Sequence, residues 1–201
     1  MTQGGIAGLI LAAGESSRMG KDKALLTYRG RSFLEGIIQS LREAGLQQTI
    51  VVLGHHAREI QSAAILEGVQ IVLNEDYRLG QTSSLQAGLG ILDAGVIAIL
   101  LCLVDHPAVN PETLRKLCRM FWESGAPIVI PTHEGRRGHP VIIGQALFQD
   151  LLNLKPESGA NEVIRRFREQ TVFLEVHDPG ILLDVDSPKD YAHFESWPKR
   201  G

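Results

Sequence analysis

Val96-Ile97-Ala98-Ile99-Leu100-Leu101-Cys102-Leu103-Val104 is the most apolar run in the chain, and Asp105 follows it directly. The run is too short to cross a bilayer as a helix, which takes about 20 residues, and it lacks the polar alternation of a half-exposed strand. It reads as a central strand buried on both faces, the signature of a parallel sheet covered by helices. Asp105 then lies at the strand end, where open α/β sheets place their ligands. Outward from this strand, further strand-length apolar runs fall at residues 6–12, 49–53, 69–73, 128–131, 141–143, 171–176 and 181–185. Helical periodicity separates them. Residues 31–44 put Phe33, Leu34, Ile37, Ile38 and Leu41 on one face; helices are also predicted at 56–64, 82–92, 145–152, 161–168 and from Ser187. Asn110 opens another, with Pro111 at its first position and Leu114, Leu117, Met120 and Phe121 on its buried side. The alternation predicts an α/β fold with a mostly parallel central sheet, formed by a single domain over residues 1–201.

Composition narrows the functional classes. The 201 residues carry a formal net charge of -3, which gives no broad attraction for nucleic acid or anionic lipid. Residues 1–10 lack the basic flank and long apolar stretch of a signal peptide, and no apolar run has membrane-spanning length, so a cytoplasmic location with neither nucleic-acid nor membrane partner is expected. The two cysteines, Cys102 and Cys118, have no second ligand at zinc spacing and read as buried, reduced thiols.

Four segments carry candidate chemistry. Leu11-Ala12-Ala13-Gly14-Glu15-Ser16-Ser17-Arg18-Met19-Gly20-Lys21-Asp22-Lys23 follows the first strand. Its small residues let backbone N–H groups approach a ligand, and Arg18, Lys21 and Lys23 add positive charge. The spacing matches neither Gly-x-Gly-x-x-Gly nor Gly-x-x-x-x-Gly-Lys-Ser/Thr, which excludes a dinucleotide fingerprint and a Walker loop. Asp105-His106-Pro107 is the second segment; by position alone the aspartate serves equally as a turn or helix cap before Asn110. The third runs from Asn74 to Leu85 and contains Gly80-Gln81-Thr82-Ser83-Ser84, which an N-capped helix start also explains. Asp184-Val185-Asp186-Ser187-Pro188 closes the set, with a helix cap again the structural alternative.

The loop from Leu11 to Lys23 resembles the Leu-Ala-Ala/Gly-Gly-x-Ser-x-Arg-Met-Gly-x-x-Lys signature of the nucleotidyltransferases that include molybdenum-cofactor cytidylyltransferase and its guanylyltransferase relative. Asp-x-Pro at 105–107, the serine pair after Gly80, Gly-His-Pro at 138–140 and Asp-x-Asp-Ser-Pro at 184–188 extend the likeness to about residue 191. The resemblance implies a Rossmann-like three-layer α/β/α fold of the GT-A-like type. It also implies backbone contacts to the base from Leu11, Ala12, Ala13 and Gly14, and neutralisation of the triphosphate by Arg18 and Lys23. Asn74 and Ser84 would lie near the nucleotide, and Arg137 and His139 near the acceptor. Asp105, with Arg18 and Lys23 in the catalytic set, would bind Mg²⁺ together with Asp186. Asp186 is favoured over Asp184 because period-two alternation along a strand at 181–185 puts both on one side, with Asp186 nearer the strand end.

Ala12-Ala13-Gly14 resembles the cytidylyl form of the loop more than the guanylyl form, so CTP is the expected donor and a molybdopterin-type cofactor the expected acceptor, with a molybdoenzyme or its chaperone as partner. GTP, a sugar phosphate or another small phosphorylated acceptor, and a non-catalytic nucleotide-binding module are the alternatives. One departure stands out: where cytidylyltransferase relatives have Gly-Asp-x-Gly-Ala-Arg, this chain has Glu157-Ser158-Gly159-Ala160-Asn161.

Overall fold

The structure, a computed structural model, describes residues 5–17 and 19–196. Arg18, assigned to the triphosphate by resemblance, lies outside the described residues. The chain runs through β1 (Gly5–Ala12), β2 (Thr27–Tyr28), β3 (Arg31–Ser32), α1 (Phe33–Glu43), β4 (Gln48–Leu53), α2 (Ala57–Ala63), β5 (Gln70–Leu73), α3 (Gln81–Leu89), β6 (Val96–Leu103) and α4 (Pro111–Ser124). It continues with β7 (Ile128–His133), β8 (Arg136–Arg137), β9 (Val141–Gly144), α5 (Phe148–Leu152), α6 (Ala160–Arg166), β10 (Thr171–Glu175) and α7 (Pro188–Glu195).

The central sheet has the order β10-β7-β9-β6-β1-β4-β5, with β8 added to the end of β7. Pairings within β6-β1-β4-β5 and β10-β7 are parallel, whereas β9 runs antiparallel to both β6 and β7. Alternation along β1 sends Leu9 and Leu11 to one face and Ile10 and Ala12 to the other. The first face packs on Leu85 and Leu89 of α3, Leu151 of α5 and Val163 and Ile164 of α6. The second packs on α1, Ile60 of α2 and Leu114 and Leu117 of α4. Both faces of β6 are therefore dry, as its unbroken apolar sequence requires. A third cluster, Leu26, Phe33, Ala108, Val185 and Phe194, docks α7 beside the start of α1. No helix among the described residues is long and apolar enough to cross a membrane.

Several elements differ from the sequence expectation. Residues 181–185 do not form a strand. A 3₁₀ turn, Pro179–Leu182, occupies this stretch; it packs beside β7 and β8, with His139 N–H donating to Ile181 O at 2.9 Å, but adds no strand to the sheet. Asp178 caps the turn through Gly180 N at 3.1 Å, while Ile181 is buried in the core between the sheet and α1, α2 and α4, and Val185 in the cluster of Phe33 and Phe194. The period-two argument for Asp186 over Asp184 therefore loses its basis. The helix expected at 31–44 is preceded by β3, because Ser32 caps it through a reciprocal pair with Glu35. The basic loop at 134–139 contains the short strand β8, paired with Thr132 and His133.

Candidate active site

A crevice of about 260 Å³ opens over the C-terminal ends of β1 and β6, lined by Leu11, Ala12, Ala13, Gly14, Lys23 and Asp105 among others. The chain departs from β1 to β4 on one side and reaches β6 on the other, so the crevice lies at the point where strand order reverses. The loop after β1 lies close against the end of β4. A Cβ at Gly54 would meet Ala13 O at 2.5 Å, so only glycine fits there. Ser16 holds a left-handed φ of 49°, and its hydroxyl oxygen accepts from Lys23 N at 3.0 Å, closing the loop on itself. Asp22 is buried and caps the 3₁₀ turn Lys23–Leu25 through Ala24 N at 2.8 Å, with His56 Nδ1 3.0 Å from its other oxygen. These contacts launch the Lys23 side chain into the crevice.

At the β6 end, Lys23 Nζ lies 3.5 Å from Asp105 Oδ2 and makes an ion pair with Asp186 Oδ1. Among the described residues Asp105 Oδ1 is buried without a hydrogen-bond partner, with His106 Nε2 3.9 Å away. Its carbonyl accepts from Val185 N at 3.0 Å, which ties the two aspartate-bearing segments together. Asp184 joins them: ligand atoms of Asp105, His106 and Asp184 lie within 4.8 Å of one another. Partial burial, then the neighbouring Asp105 and Asp186 carboxylates, raises the Asp184 carboxyl above the ordinary range. A cluster of carboxylates with an orphaned buried oxygen is suited to a hard divalent cation.

Asp105 lies in the turn closed by His106 N and Leu103 O, but it does not cap α4. The N-cap of α4 is Asn110, and Asp178 is the side chain that accepts from Asn110 N and Thr113 Oγ1, at 2.8 and 2.7 Å. His106 and His139 sit beside Asp105 with ring centroids 5.0 Å apart. Burial lowers the pKa of both, and that of His139 falls to about 4 with His106 adjacent, so both rings are neutral near pH 7.

The other end of the crevice is formed by Tyr77, Gly80, Gln81 and Ser84. Gly80, at φ 99°, starts α3 without a side-chain cap, so the helix presents its first amides here. Asn74 does not line the crevice. Its side chain is engaged with Asp76 N, Ser83 and Ser84, and it reaches the site only through Ser84. Arg137 is not brought to the crevice either; its guanidinium lies over the Phe173 ring, 4.6 Å from the centroid, on the outer strand β10. The divergent segment at 157–161 borders the α3 side, where the Thr82 hydroxyl donates to Ser158 O. Sequence reasoning missed Tyr77, Gln81 and Asp22 as lining residues, although all three lie inside motifs it had singled out.

A lysine held between carboxylates, at the reversal point of a sheet covered on both faces, is the arrangement of an enzyme that transfers phosphoryl or nucleotidyl groups. The chain belongs to the family of the MobA-like NTP transferase domain, whose model matches residues 8–172, and it is a nucleotidyltransferase. Nicotine blue oxidoreductase of Paenarthrobacter nicotinovorans is 30% identical over 197 residues, covering 90% of this chain and 92% of the relative. Molybdenum cofactor cytidylyltransferase of Escherichia coli K12 is 25% identical over 187 residues, covering 91% and 92%. The Rv0371c structure from Mycobacterium tuberculosis H37Rv is similar at TM-score 0.86 and 32% identity over 96% of this chain and 98% of that one. Its complex with manganese gives 0.83 and 30% over 96% and 100%. These relatives bear different names on one scaffold, one of them that of an oxidoreductase, and they leave base and acceptor open.

Proposed function

We propose that the chain transfers the CMP group of CTP to a molybdopterin-type cofactor with release of pyrophosphate. The observation that carries the transferase site is the placement of Lys23 between Asp105 and Asp186, beside the orphaned Asp105 oxygen. CTP is supported by the loop Ala12-Ala13-Gly14, and the acceptor by likeness to the cytidylyltransferase relative.

Asp105 and Asp186, the latter paired here with Lys23, would hold Mg²⁺, and Asp184, which groups with Asp105 and His106, is the alternative second carboxylate. Bound there, the ion supplies Lewis-acid stabilisation for charge on the α-phosphate. The chain's own residues do the rest. Backbone amides of the loop after β1 seat the phosphates, and Lys23 exchanges its carboxylate partners for phosphate oxygens as the triphosphate arrives. An acceptor phosphate oxygen then forms a bond to the α-phosphorus; the bond from that phosphorus to the bridging oxygen breaks, and its electron pair leaves with pyrophosphate. Lys23 stabilises the charge that builds on the leaving group. Neutral His106 and His139 flank Asp105 without adding positive charge that would compete for the cation.

A second acceptor class, another small phosphorylated molecule such as a sugar phosphate, is favoured by one observation: the segment Glu157-Ser158-Gly159-Ala160-Asn161, which departs from the cytidylyltransferase pattern, borders the site through the bond from the Thr82 hydroxyl to Ser158 O. Pyrophosphate release measured with each of the four ribonucleoside triphosphates and Mg²⁺, with and without molybdenum-loaded molybdopterin, separates these readings. Release with CTP that requires both the cofactor and Asp105, checked with Asp105→Ala, is the expected result. Triphosphate binding with no release in its presence sinks the molybdopterin assignment.

A further inference from the structure

Lys23 meets both halves of the crevice. Its backbone is fixed: Lys23 N donates to Ser16 Oγ at 3.0 Å, and the buried Asp22 before it caps the next turn through Ala24 N at 2.8 Å. Its side chain is 13% exposed, with Nζ paired to Asp186 Oδ1 and 3.5 Å from Asp105 Oδ2. The ammonium therefore engages carboxylate oxygens that a divalent cation would need as ligands. An ion held by Asp105 and Asp186 would draw on the oxygens that Lys23 uses. An ion held by Asp105 and Asp184 would still share the Asp105 carboxylate with the ammonium. Either way two cations would crowd one partly buried carboxylate, where like charges repel more strongly than in water.

We propose that Lys23 is the resident cation of the acidic site: it holds off free divalent metal, and the metal enters as its chelate with a polyphosphate whose oxygens draw the ammonium away. The cavity permits the exchange, since Lys23, Asp105 and Asp186 line one crevice with the loop residues Gly14 and Ser16. Charge matching favours it. Once the chelate is seated, the ion meets Asp105 and its partner carboxylate while Lys23 meets phosphate, so each cation has an anionic partner of its own. The inference rests on the proposed transferase site and specifies the form in which that site accepts its triphosphate, as the metal complex.

Mn²⁺ without any phosphate is titrated into the full chain, Lys23→Met, Lys21→Met and a double variant of Lys23→Met with Asp105→Asn, and binding is read from the loss of the free-ion EPR signal. Methionine keeps an unbranched stem and removes the charge; Lys23→Gln takes its place should that variant fail to fold. Lys23→Met is expected to bind Mn²⁺ at least about tenfold more tightly than wild type, through relief of a like-charge contact at a partly buried carboxylate. Lys21→Met removes an exposed charge from the same loop and is expected to stay within about twofold of wild type. Calorimetry with the Mn²⁺ complex of inorganic tripolyphosphate should reverse the order, wild type binding it about tenfold more tightly than Lys23→Met. Equal Mn²⁺ affinities in wild type and Lys23→Met, equal gains in the two lysine variants, or no reversal with tripolyphosphate each overturn the proposal, and Mn²⁺ binding that still depends on Asp105 then leaves the reading of the site standing. A gain that survives Asp105→Asn puts the ion elsewhere and overturns the reading of the site together with this inference.

Discussion

Asp178 is the residue whose removal tests how the two halves of the acidic site are joined. It is 3% exposed, and its carboxyl group accepts from Asn110 N at 2.8 Å, Thr113 Oγ1 at 2.7 Å and Gly180 N at 3.1 Å. It thereby caps α4, which follows the Asp105 segment, and starts the turn that leads to Asp184 and Asp186. In Asp178→Ala the hydroxyl of Thr113 can rotate to a new partner, but two backbone N–H groups are left facing a cavity. Each orphaned donor costs about 1–3 kcal/mol, so the variant is expected to lose about 2–6 kcal/mol of stability. At about 2–4 °C per kcal/mol for a chain of this size, the melting temperature falls by about 4–24 °C. Asp178→Asn keeps an acceptor toward Asn110 and Thr113 but turns its NH₂ toward Gly180 N, which limits the loss to about 1–3 kcal/mol. Urea unfolding of the three proteins measures both numbers. An Asp178→Ala variant within about 0.5 kcal/mol of wild type, or an asparagine variant as damaged as the alanine one, refutes the accounting.

Three further outcomes follow from the same contacts. Lys23→Ala should lower turnover about 10²- to 10³-fold, as when one charge-stabilising donor is removed, and an unchanged rate in the pyrophosphate assay takes Lys23 out of the mechanism. For Glu35, burial raises the carboxyl pKa, but amide donors from Ile65 and Ser32, the Ser32 hydroxyl and Arg31 together outweigh it and leave the group below its ordinary value. The capping contribution is then fully present above the unfolded pKa and lost as pH falls through the lower folded one, so the melting-temperature gap between wild type and Glu35→Gln should persist above the ordinary carboxylate value of 4.5 and close as the pH falls below it. Burial pushes the Cys118 thiol up to about 11 and that of Cys102 higher still, so a disulfide-exchange reagent at pH 8 should titrate both quickly only after denaturation; fast labelling of the native chain contradicts their burial.

Much of the fold was legible because its central strands are buried on both faces and so have nothing polar to confuse their reading. Residues 96–104 and 6–12 announced β6 and β1, and Asn110-Pro111 announced α4, to within a residue. The strand at 141–143 was legible as β9, joined to β7 through the loop at 134–139, but its antiparallel place beside β6 was not, since a buried strand has the same apolar sequence whichever way it runs. Residues 181–185 misled for a related reason: Ile181 and Val185 are apolar because each anchors the loop in a different core cluster, and an apolar run alone cannot tell such anchors from a strand. The same limit governs the site. Lys23, Asp105 and Asp186 could be named because their spacing within motifs is local, and the structure brings them into contact. Asp178 could not, since its partners lie 65 and 68 residues away and no local pattern marks a cap supplied from such a distance. Asn74 and Arg137 show the converse: their motifs were visible, but the role of a polar side chain depends on which hydrogen bonds the fold has already assigned to it. Asn74 has spent all of its donors on two serines, and Arg137 has settled on an aromatic ring, so a motif match identified the neighbourhood and only the hydrogen-bond inventory identified the job.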